Sequence, residues 1–168
     1  MDIKVRLDSD YPQIVNAVDD PKVVAILKDL LSSRQGEIAG ILQYFYQSRI
    51  ANSTDEDVAR LLEEVSIVEM GHMELLMNAI VMFGGTPIYN NSRGQYFNAS
   101  YINYSIKLKD MLDNNIVAEQ SAIQDYTNAQ RLVSNQSLKD LFARIIEDEQ
   151  IHLQTFKKLR DSVSFLSI

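Results

Sequence analysis

Two stretches, EVSIVEMGHMELL at residues 64–76 and EDEQIHLQTF at residues 147–156, decide how this sequence folds. They contain the only two histidines of the chain, His72 and His152, and a glutamate stands three residues before each, at Glu69 and Glu149. Residues three apart lie on the same side of an α-helix, so each pair presents a carboxylate and an imidazole in one direction. The same pairing at both histidines indicates a shared chemical purpose.

Each pair interrupts a stripe of apolar residues that recur at three- and four-residue spacing, which is typical of a helix facing a core. Two other helical segments carry a single glutamate on such a stripe, Glu37 and Glu119, each with a tyrosine seven residues later, Tyr44 and Tyr126. The four stripes therefore bring four carboxylates and two imidazoles to one level of one core. The apolar members are Leu27, Leu30, Ile41, Val58, Leu62, Val65, Leu76, Phe83, Leu108, Leu112, Ile116, Ile123, Leu138, Phe142, Ile145, Phe156 and Leu159.

Four carboxylates cannot all remain ionised in a core, because burying one unpaired charge costs several kcal/mol and like charges repel. Two divalent cations would resolve this conflict, and oxygen with imidazole nitrogen suits iron or manganese, and zinc less exclusively. The pattern also repeats along the chain. Glu69 and Glu149 are 80 residues apart, as are His72 and His152, and Glu37 and Glu119 are 82 apart. This spacing predicts a pseudo-two-fold axis through a metal pair.

Start and stop signals divide the chain into four predicted helices. Asp20 can cap the first helix with Pro21 in its first position, and this helix is predicted to run to about Ala51. Ser53 and Glu56 fit a capping box for the second, which Gly84 and Gly85 end after Phe83. The third and fourth are predicted over residues 105–133 and 137–160.

Short turns join helices one and two and helices three and four, so each pair forms an antiparallel hairpin. The connection over residues 84–104 is long enough to cross a whole bundle. We predict an all-α fold, a four-helix bundle of two hairpins with a long crossover between helices two and three. A single domain would span residues 1–168, with an N-terminal arm at 1–19 that has no clear role and the bundle at 20–160.

Composition excludes several classes of function. The net charge of -7 argues against nucleic acid as a partner, because there is no basic stripe to displace counterions. The absence of cysteine excludes a disulfide framework, a zinc–thiolate site and an iron–sulfur cluster. We find neither a signal peptide nor an apolar run of about 18 residues. We therefore expect a cytoplasmic protein without a membrane partner.

Three stretches resemble the ferritin-like superfamily of di-iron and di-manganese proteins, in its bacterioferritin and rubrerythrin branch. They are GEIAGILQYFYQSR at residues 36–49, EEVSIVEMGHMELLMNAIVMFGGTP at 63–87 and IIEDEQIHLQTF at 145–156. The resemblance covers about residues 20–160 and implies six metal ligands, with Glu69 and Glu149 bridging two ions and Glu37 and Glu119 terminal. The remaining ligands are His72 and His152. Typical rubrerythrins add a cysteine-ligated rubredoxin domain, which this sequence lacks.

The resemblance implies an oxidoreductase that acts on peroxide or oxygen, with possible ferroxidase activity. Its cofactor would be two iron ions or, alternatively, two manganese ions, its electron donor is unknown, and it would form a homodimer or a larger homo-oligomer. Iron storage of the bacterioferritin type is one alternative and a manganese catalase-like enzyme is another. A structural bundle without metal is the remaining hypothesis.

Three further residues have candidate roles. Tyr44 and Tyr126 lie one layer from the metals. The resemblance suggests that the Tyr44 hydroxyl touches a ligand glutamate or assists electron transfer, and core packing with a hydrogen-bonded hydroxyl is the alternative. Met70 follows Glu69 directly, where bacterioferritins place a haem-binding methionine. Since methionine is a common gap-filler, we do not expect haem.

The other acidic residues near the site fall off the stripes. We expect their side chains to be solvated, and we leave Asp125 ambiguous. The solvated set comprises Glu63, Glu64, Glu74, Glu147 and Asp148.

Overall fold

The protein is described by a computed structural model that covers residues 4–165, and within this range it is all-helical. The helices are α1 (Pro21–Ser32), α2 (Glu37–Ala51), α3 (Glu56–Met82), α4 (Leu108–Leu132) and α5 (Gln136–Phe165), with one 3-10 turn at Ala99–Tyr101. Helix α2 packs along α3 and α4 packs along α5, while α1 packs against α3 and α2. The predicted all-α bundle with a long crossover between its two hairpins is therefore confirmed.

The first of the four rods of the bundle consists of two helices, α1 and α2. The prediction of one continuous helix over residues 20–51 was therefore wrong. Helix α1 ends at Ser32, and α2 begins at Glu37 after an extended backbone at Ser33. Gly36 sits where the chain passes close to α1: a Cβ there would lie 2.5 Å from the Leu30 carbonyl oxygen. The break makes Glu37 the first residue of a helix, where the helix dipole favours a carboxylate.

The helix starts were predicted with mixed success. Asp20 caps α1 as expected, since its Oδ1 accepts from the backbone N–H groups of Lys22 and Val23 at 2.9 and 3.2 Å. The capping box at Ser53 and Glu56 was wrong. Asp55, directly before α3, supplies the cap instead and accepts two backbone N–H groups, each at 3.1 Å.

Helix α3 ends close to the glycines that were predicted to stop it, but the start of α4 and the end of α5 differ from the predicted positions. Helix α3 ends at Met82, and Gly84 has a φ of 82°, which permits the chain to turn away. Helix α4 begins three residues later than predicted, because the side chain of Asn103 accepts from the Ser105 N–H at 3.0 Å and holds a local turn. Helix α5 extends beyond the predicted end at residue 160.

The crossover at residues 84–104 is tied to the first rod by side chains. Asp29 of α1 accepts from the Ser92 N–H at 2.8 Å, and Gln43 of α2 accepts from the Asn103 N–H at 2.9 Å. These bonds position the connection along α1 and α2. The division into one domain with an arm and a crossover remains a prediction.

The apolar core forms two clusters with the polar residues of interest between them. One cluster includes Leu27, Leu76 and Phe142, and the other includes Leu62 and Phe156. Most of the predicted apolar stripe residues lie in these clusters or at their edges, while Ile41 and Ile123 belong to neither cluster.

Helix α3 needs one correction to the sequence analysis. It is long and apolar enough, by length and composition alone, to cross a membrane, so the expectation of no such segment was too strong. Core helices of bundles pass the same test, and 44% of its apolar window is buried inside the fold. The cytoplasmic location stays a prediction.

Candidate metal centre

The structure brings all six predicted ligand side chains together between the two apolar clusters. They form two overlapping groups of four, and within each group the donor atoms lie within 4.8 Å of one another. Every member is buried, with at most 6% of its surface exposed. The groups are Glu37, Glu69, His72 and Glu149 on one side, and Glu69, Glu119, Glu149 and His152 on the other.

Glu69 and Glu149 belong to both groups, and Glu37 and Glu119 belong to one each. This division arises from the helix spacing, because α3 and α5 each contribute a shared glutamate and, one turn later, a histidine. The arrangement has the form expected for two bridging and two terminal carboxylates. The metal-binding roles themselves remain a proposal, taken up below.

The two histidines face the shared carboxylates with the same ring nitrogen. Nδ1 of His72 lies 3.0 Å from both Glu69 Oε2 and Glu149 Oε1. Nδ1 of His152 lies 3.3 Å from Glu69 Oε1 and 3.4 Å from Glu149 Oε2. The centres of the two rings are 6.4 Å apart.

The buried carboxylates and imidazoles of the cluster shift one another's pKa values. Burial raises the pKa of Glu37 and of Glu119 well above the usual range, and the charges of Glu69 and Glu149 add to these shifts. Glu69 and Glu149 show the opposite result: burial acts to raise the pKa of each, but the two histidines lower it below the usual value.

The two histidines shift in the same way as Glu37 and Glu119. Burial acts to lower the pKa of His72 and His152, but the surrounding carboxylates outweigh it and raise both well above the usual value. A raised pKa favours the protonated form of a donor, so a metal ion that binds these donors competes with protons.

The residues present fit two divalent ions. Among residues 4–165, four buried atoms of the cluster that could bind a metal have no hydrogen-bond partner. They are Glu119 Oε2, Glu149 Oε1 and both ring nitrogens of His152. Unsatisfied buried polar atoms are costly, and metal coordination is one way to satisfy them. Carboxylate oxygen with imidazole nitrogen is the donor set of iron and manganese sites.

The two tyrosines bond crosswise between the hairpins. Tyr44 of α2 donates to Oε1 of Glu119 on α4, and Tyr126 of α4 donates to Oε1 of Glu37 on α2. Burial, reinforced by the adjacent carboxylates, raises the pKa of both phenols well above the usual value, so both remain donors. The contact that the resemblance suggested for Tyr44 has a counterpart at Tyr126, while the roles of both tyrosines remain a prediction.

Asp148 was wrongly expected to be solvated: it is fully buried and contacts His72. Its Oδ2 lies 3.3 Å from His72 Nε2 and accepts from the Tyr11 hydroxyl at 2.7 Å. Its Oδ1 accepts from the Leu7 N–H at 2.8 Å and lies 2.8 Å from Arg144. Burial acts to raise the pKa of Asp148, but these hydrogen bonds lower it to about 2.

The N-terminal arm thus has a structural role that sequence reasoning missed. Arg144 donates to the carbonyl oxygens of Leu7 and Ser9 at 3.0 and 3.1 Å, and its guanidinium lies 4.6 Å from the centre of the Tyr11 ring. A sequence signal was available, because Arg144 and Asp148 are four residues apart and form a helical ion pair.

The remaining candidates lie outside the cluster. Met70 is 41% exposed on the outer face of α3 and is not in either group of four. Asp125, left ambiguous above, is exposed, and burial of part of its carboxyl with the nearby charge of Asp29 raises its pKa. Glu64, Glu74 and Glu147 are exposed as expected, and Glu63 is partly exposed.

A cavity of about 240 Å³ reaches the cluster between α2 and α4. Its inner wall includes all four carboxylates of the cluster, and its outer wall includes Gln43, Asn103 and Asp125. Asn103 belongs to the crossover, so this connection lines the approach to the cluster. The cavity has room for several water-sized molecules.

Comparison with known proteins identifies the family. The rubrerythrin family profile matches residues 28–160, which is most of the chain. This chain belongs to the rubrerythrin family. The resemblance drawn from the three motif stretches is therefore confirmed at the level of the family.

Two curated relatives are similar across most of their length. A probable manganese catalase of Clostridium acetobutylicum is 22% identical, over 86% of this chain and 73% of the relative. A bacterioferritin of Brucella melitensis is 26% identical, over 80% of each chain. Both kinds of protein had been anticipated as alternatives.

Solved structures support the fold of this family member. A manganese catalase from Anabaena superposes with a TM-score of 0.85 at 23% identity, covering 94% of this chain and 80% of that one. A bacterioferritin from Rhodobacter capsulatus superposes with a TM-score of 0.74 at 24% identity, covering 88% of each chain. At this level of identity the structures establish the shared bundle and leave the reaction open.

Proposed function

We propose that this rubrerythrin-family protein is a dinuclear metal oxidoreductase whose substrate is hydrogen peroxide, and that manganese or iron occupies the two groups of four ligands. The observation that carries the proposal is the pair of shared carboxylates, Glu69 and Glu149, which belong to both groups. A shared carboxylate holds two ions close enough to exchange two electrons with one substrate. Bound metals would supply that redox chemistry.

The reaction we favour is disproportionation, in which two hydrogen peroxide molecules give one oxygen and two waters. One peroxide loses two electrons and two protons, and the other accepts them, so no external donor is needed. The likeness to manganese catalases, over 86% of this chain for the curated relative, supports this choice. Reduction of peroxide by an external electron donor is the related alternative.

The chain's own residues would hold the terminal ligands and hold protons near the substrate. Tyr44 and Tyr126 each fix one carboxylate oxygen of Glu119 and Glu37. Each glutamate therefore has its other oxygen available for a metal. Because burial raises the pKa of Glu37 and Glu119, these carboxyls can also hold a proton when they are not coordinating.

Access for a small polar substrate would run through the cavity between α2 and α4. Gly36 and Gly40 line it on the α2 side and Ala118 and Ala122 on the α4 side, beside bulkier residues such as Arg34 and Tyr101. A molecule the size of peroxide fits a space of about 240 Å³.

Iron oxidation for storage is the second candidate. The bacterioferritin of Brucella melitensis covers 80% of this chain, and the same six donors suit ferrous iron. Oxidation of two ferrous ions with oxygen as acceptor would then serve mineral formation. The particle would have to be a large shell for this role.

The experiment is metal analysis of the protein purified without added metal, with its mass in solution recorded on the same sample. Oxygen evolution from hydrogen peroxide and oxidation of added ferrous iron are then measured on the same protein. We expect about two ions per chain, a small oligomer and oxygen evolution. Many iron atoms per chain in a large shell would instead support storage.

Two variants and a matched control test the site. Glu69→Ala and His152→Ala should abolish dinuclear binding, whereas Glu74→Ala, on the exposed face of α3, should bind two ions as the parent does. A Glu69→Ala protein that still bound two ions would overturn the site. So would a parent that took up neither ferrous nor manganous ions under anaerobic conditions.

A further inference from the structure

The two halves of the metal centre differ in one residue that stands next to the shared glutamates. The sequence repeat of 80 residues relates Glu69 to Glu149 and His72 to His152, but it relates Val68 to Asp148. Both Val68 and Asp148 are buried. One half therefore has a carboxylate at a position where the other half has an apolar side chain.

Asp148 acts on the histidine of the opposite hairpin. The backbone N–H of Leu7 and the hydroxyl of Tyr11 donate to this carboxylate, and the guanidinium of Arg144 forms an ion pair with it at 2.8 Å. Because these partners are donors or a cation, Asp148 acts as an acceptor toward His72 Nε2 at 3.3 Å. A proton of His72 is thus held on Nε2, and Nδ1 faces Glu69 and Glu149.

The arm covers this side of the centre and is itself anchored. Arg144 holds the carbonyl oxygens of Leu7 and Ser9, and Tyr11 meets the His72 ring edge to face, with 6.0 Å between ring centres. Arg144, only 5% exposed, also packs over the Tyr11 ring. The orientation of His72 is therefore set by the arm as well as by the bundle.

His152 has no equivalent support. It is fully buried, and neither of its ring nitrogens has a hydrogen-bond partner among residues 4–165. Its Nδ1 lies 3.3–3.6 Å from the nearby carboxylate oxygens of Glu69, Glu149 and Glu119, without hydrogen-bond alignment. Among residues 4–165, no acceptor equivalent to Asp148 is hydrogen-bonded to its Nε2.

We propose that Tyr11, Arg144 and Asp148 are positioning residues that make the two metal positions unequal. The position at His72 binds its ion more tightly and releases it more slowly, and the position at His152 fills second and exchanges. A hydrogen-bonded partner behind a ligating histidine typically contributes about 10–100-fold in metal affinity. This inference rests on the proposed dinuclear site and specifies which of its two positions is labile.

The experiment is an anaerobic titration of the metal-free protein with manganous ions, in which the electron paramagnetic resonance signal of the free ion is followed. We expect two binding constants separated by at least about tenfold. Asp148→Asn should weaken the tighter constant by about 10–100-fold and leave the weaker one unchanged, so that the two converge. Tyr11→Phe keeps the ring against Arg144 and removes only the hydroxyl, and should act in the same direction by a smaller factor.

Variants that lack a ligand of one metal position show which position each binding constant belongs to. Glu119→Ala removes a ligand of the His152 position, and Asp148→Asn should weaken the one site that remains. Glu37→Ala removes a ligand of the His72 position, and Asp148→Asn should leave its remaining site unaffected. A general loss of folding would instead weaken binding in both backgrounds.

Three results would overturn the inference and can be told apart. Two equal constants that Asp148→Asn and Tyr11→Phe leave unchanged would contradict the inequality and leave the proposed dinuclear function intact. Absence of any binding by the parent protein would remove both proposals. Equal weakening of both constants by Tyr11→Phe would show that the arm acts on overall stability and not on one position.

Discussion

The hairpin α2–α3 and the hairpin α4–α5 supply the same donors but surround them differently. Each provides one terminal glutamate, one shared glutamate and one histidine, with the same helical spacing between the last two. Behind His72 stands a buried network that reaches the N-terminal arm, whereas His152 has no hydrogen-bond partner in residues 4–165. The two hairpins thus repeat the same donor residues, but the hydrogen bonds behind their two histidines differ. A sequence repeat can therefore produce two metal positions with unequal surroundings.

The helices also differ in continuity. Helix α4 runs unbroken through Glu119, while the corresponding rod is interrupted just before Glu37. Glu37 therefore sits at a helix start and Glu119 in a helix interior. These two glutamates, proposed as terminal ligands, reach equivalent places in the cluster from different local structures.

The largest expected effect is the loss of metal when a glutamate that belongs to both groups is removed, compared with one that belongs to a single group. Glu149→Ala removes a carboxylate that belongs to both groups, so we expect both ions to be lost and peroxide turnover to fall more than about a hundredfold. Glu119→Ala should retain one ion per chain. Metal content and oxygen evolution measure both, and retention of two ions by Glu149→Ala would contradict the sharing.

The pH dependence of metal binding tests the competition between protons and metal in both halves. Each half holds one glutamate and one histidine whose pKa is raised, which favours protons over metal at these donors. Lowering the pH strengthens this competition, and we expect metal affinity to fall from pH 7.5 to 5.5. Calorimetry in buffers of different ionisation enthalpy counts the protons released, and a metal affinity that is the same at both pH values would contradict the competition.

The crosswise tyrosines should behave alike, because the repeat holds around them. Tyr44→Phe leaves Glu119 without its donor, and Tyr126→Phe does the same to Glu37. Each should lower the free energy of unfolding of the metal-free protein by about 1–3 kcal/mol. Denaturant unfolding measures both, and a marked difference between them would show that the asymmetry extends to the terminal ligands.

The smallest expected effects concern the break before Glu37. Gly36→Ala would place a Cβ 2.5 Å from the Leu30 carbonyl oxygen and should cost about 1–3 kcal/mol of stability. Gly71→Ala, within α3, meets nothing within 4 Å and should stabilise by about 0.5–1 kcal/mol. The unfolding midpoints of the two variants measure these changes in stability. Equal midpoints would contradict the tight packing at the break.

The sequence by itself determined the all-α class, the buried faces of the rods and the six residues that meet at one level. These follow from periodicity, because an apolar stripe fixes which side of a helix is buried and residues on that side share a core. The repeat of the glutamate–histidine pair followed from the number of residues between its two copies. The family followed from the same residues.

Only the tertiary structure decided where the first rod breaks and what stands behind each histidine. Asp148 lies off the stripe of its own helix as predicted, yet the arm and Arg144 bury it against His72. Periodicity describes one helix at a time, whereas the surroundings of a polar side chain depend on segments distant in sequence. Leu7 and Asp148 are 141 residues apart, and only the folded chain brings them into contact.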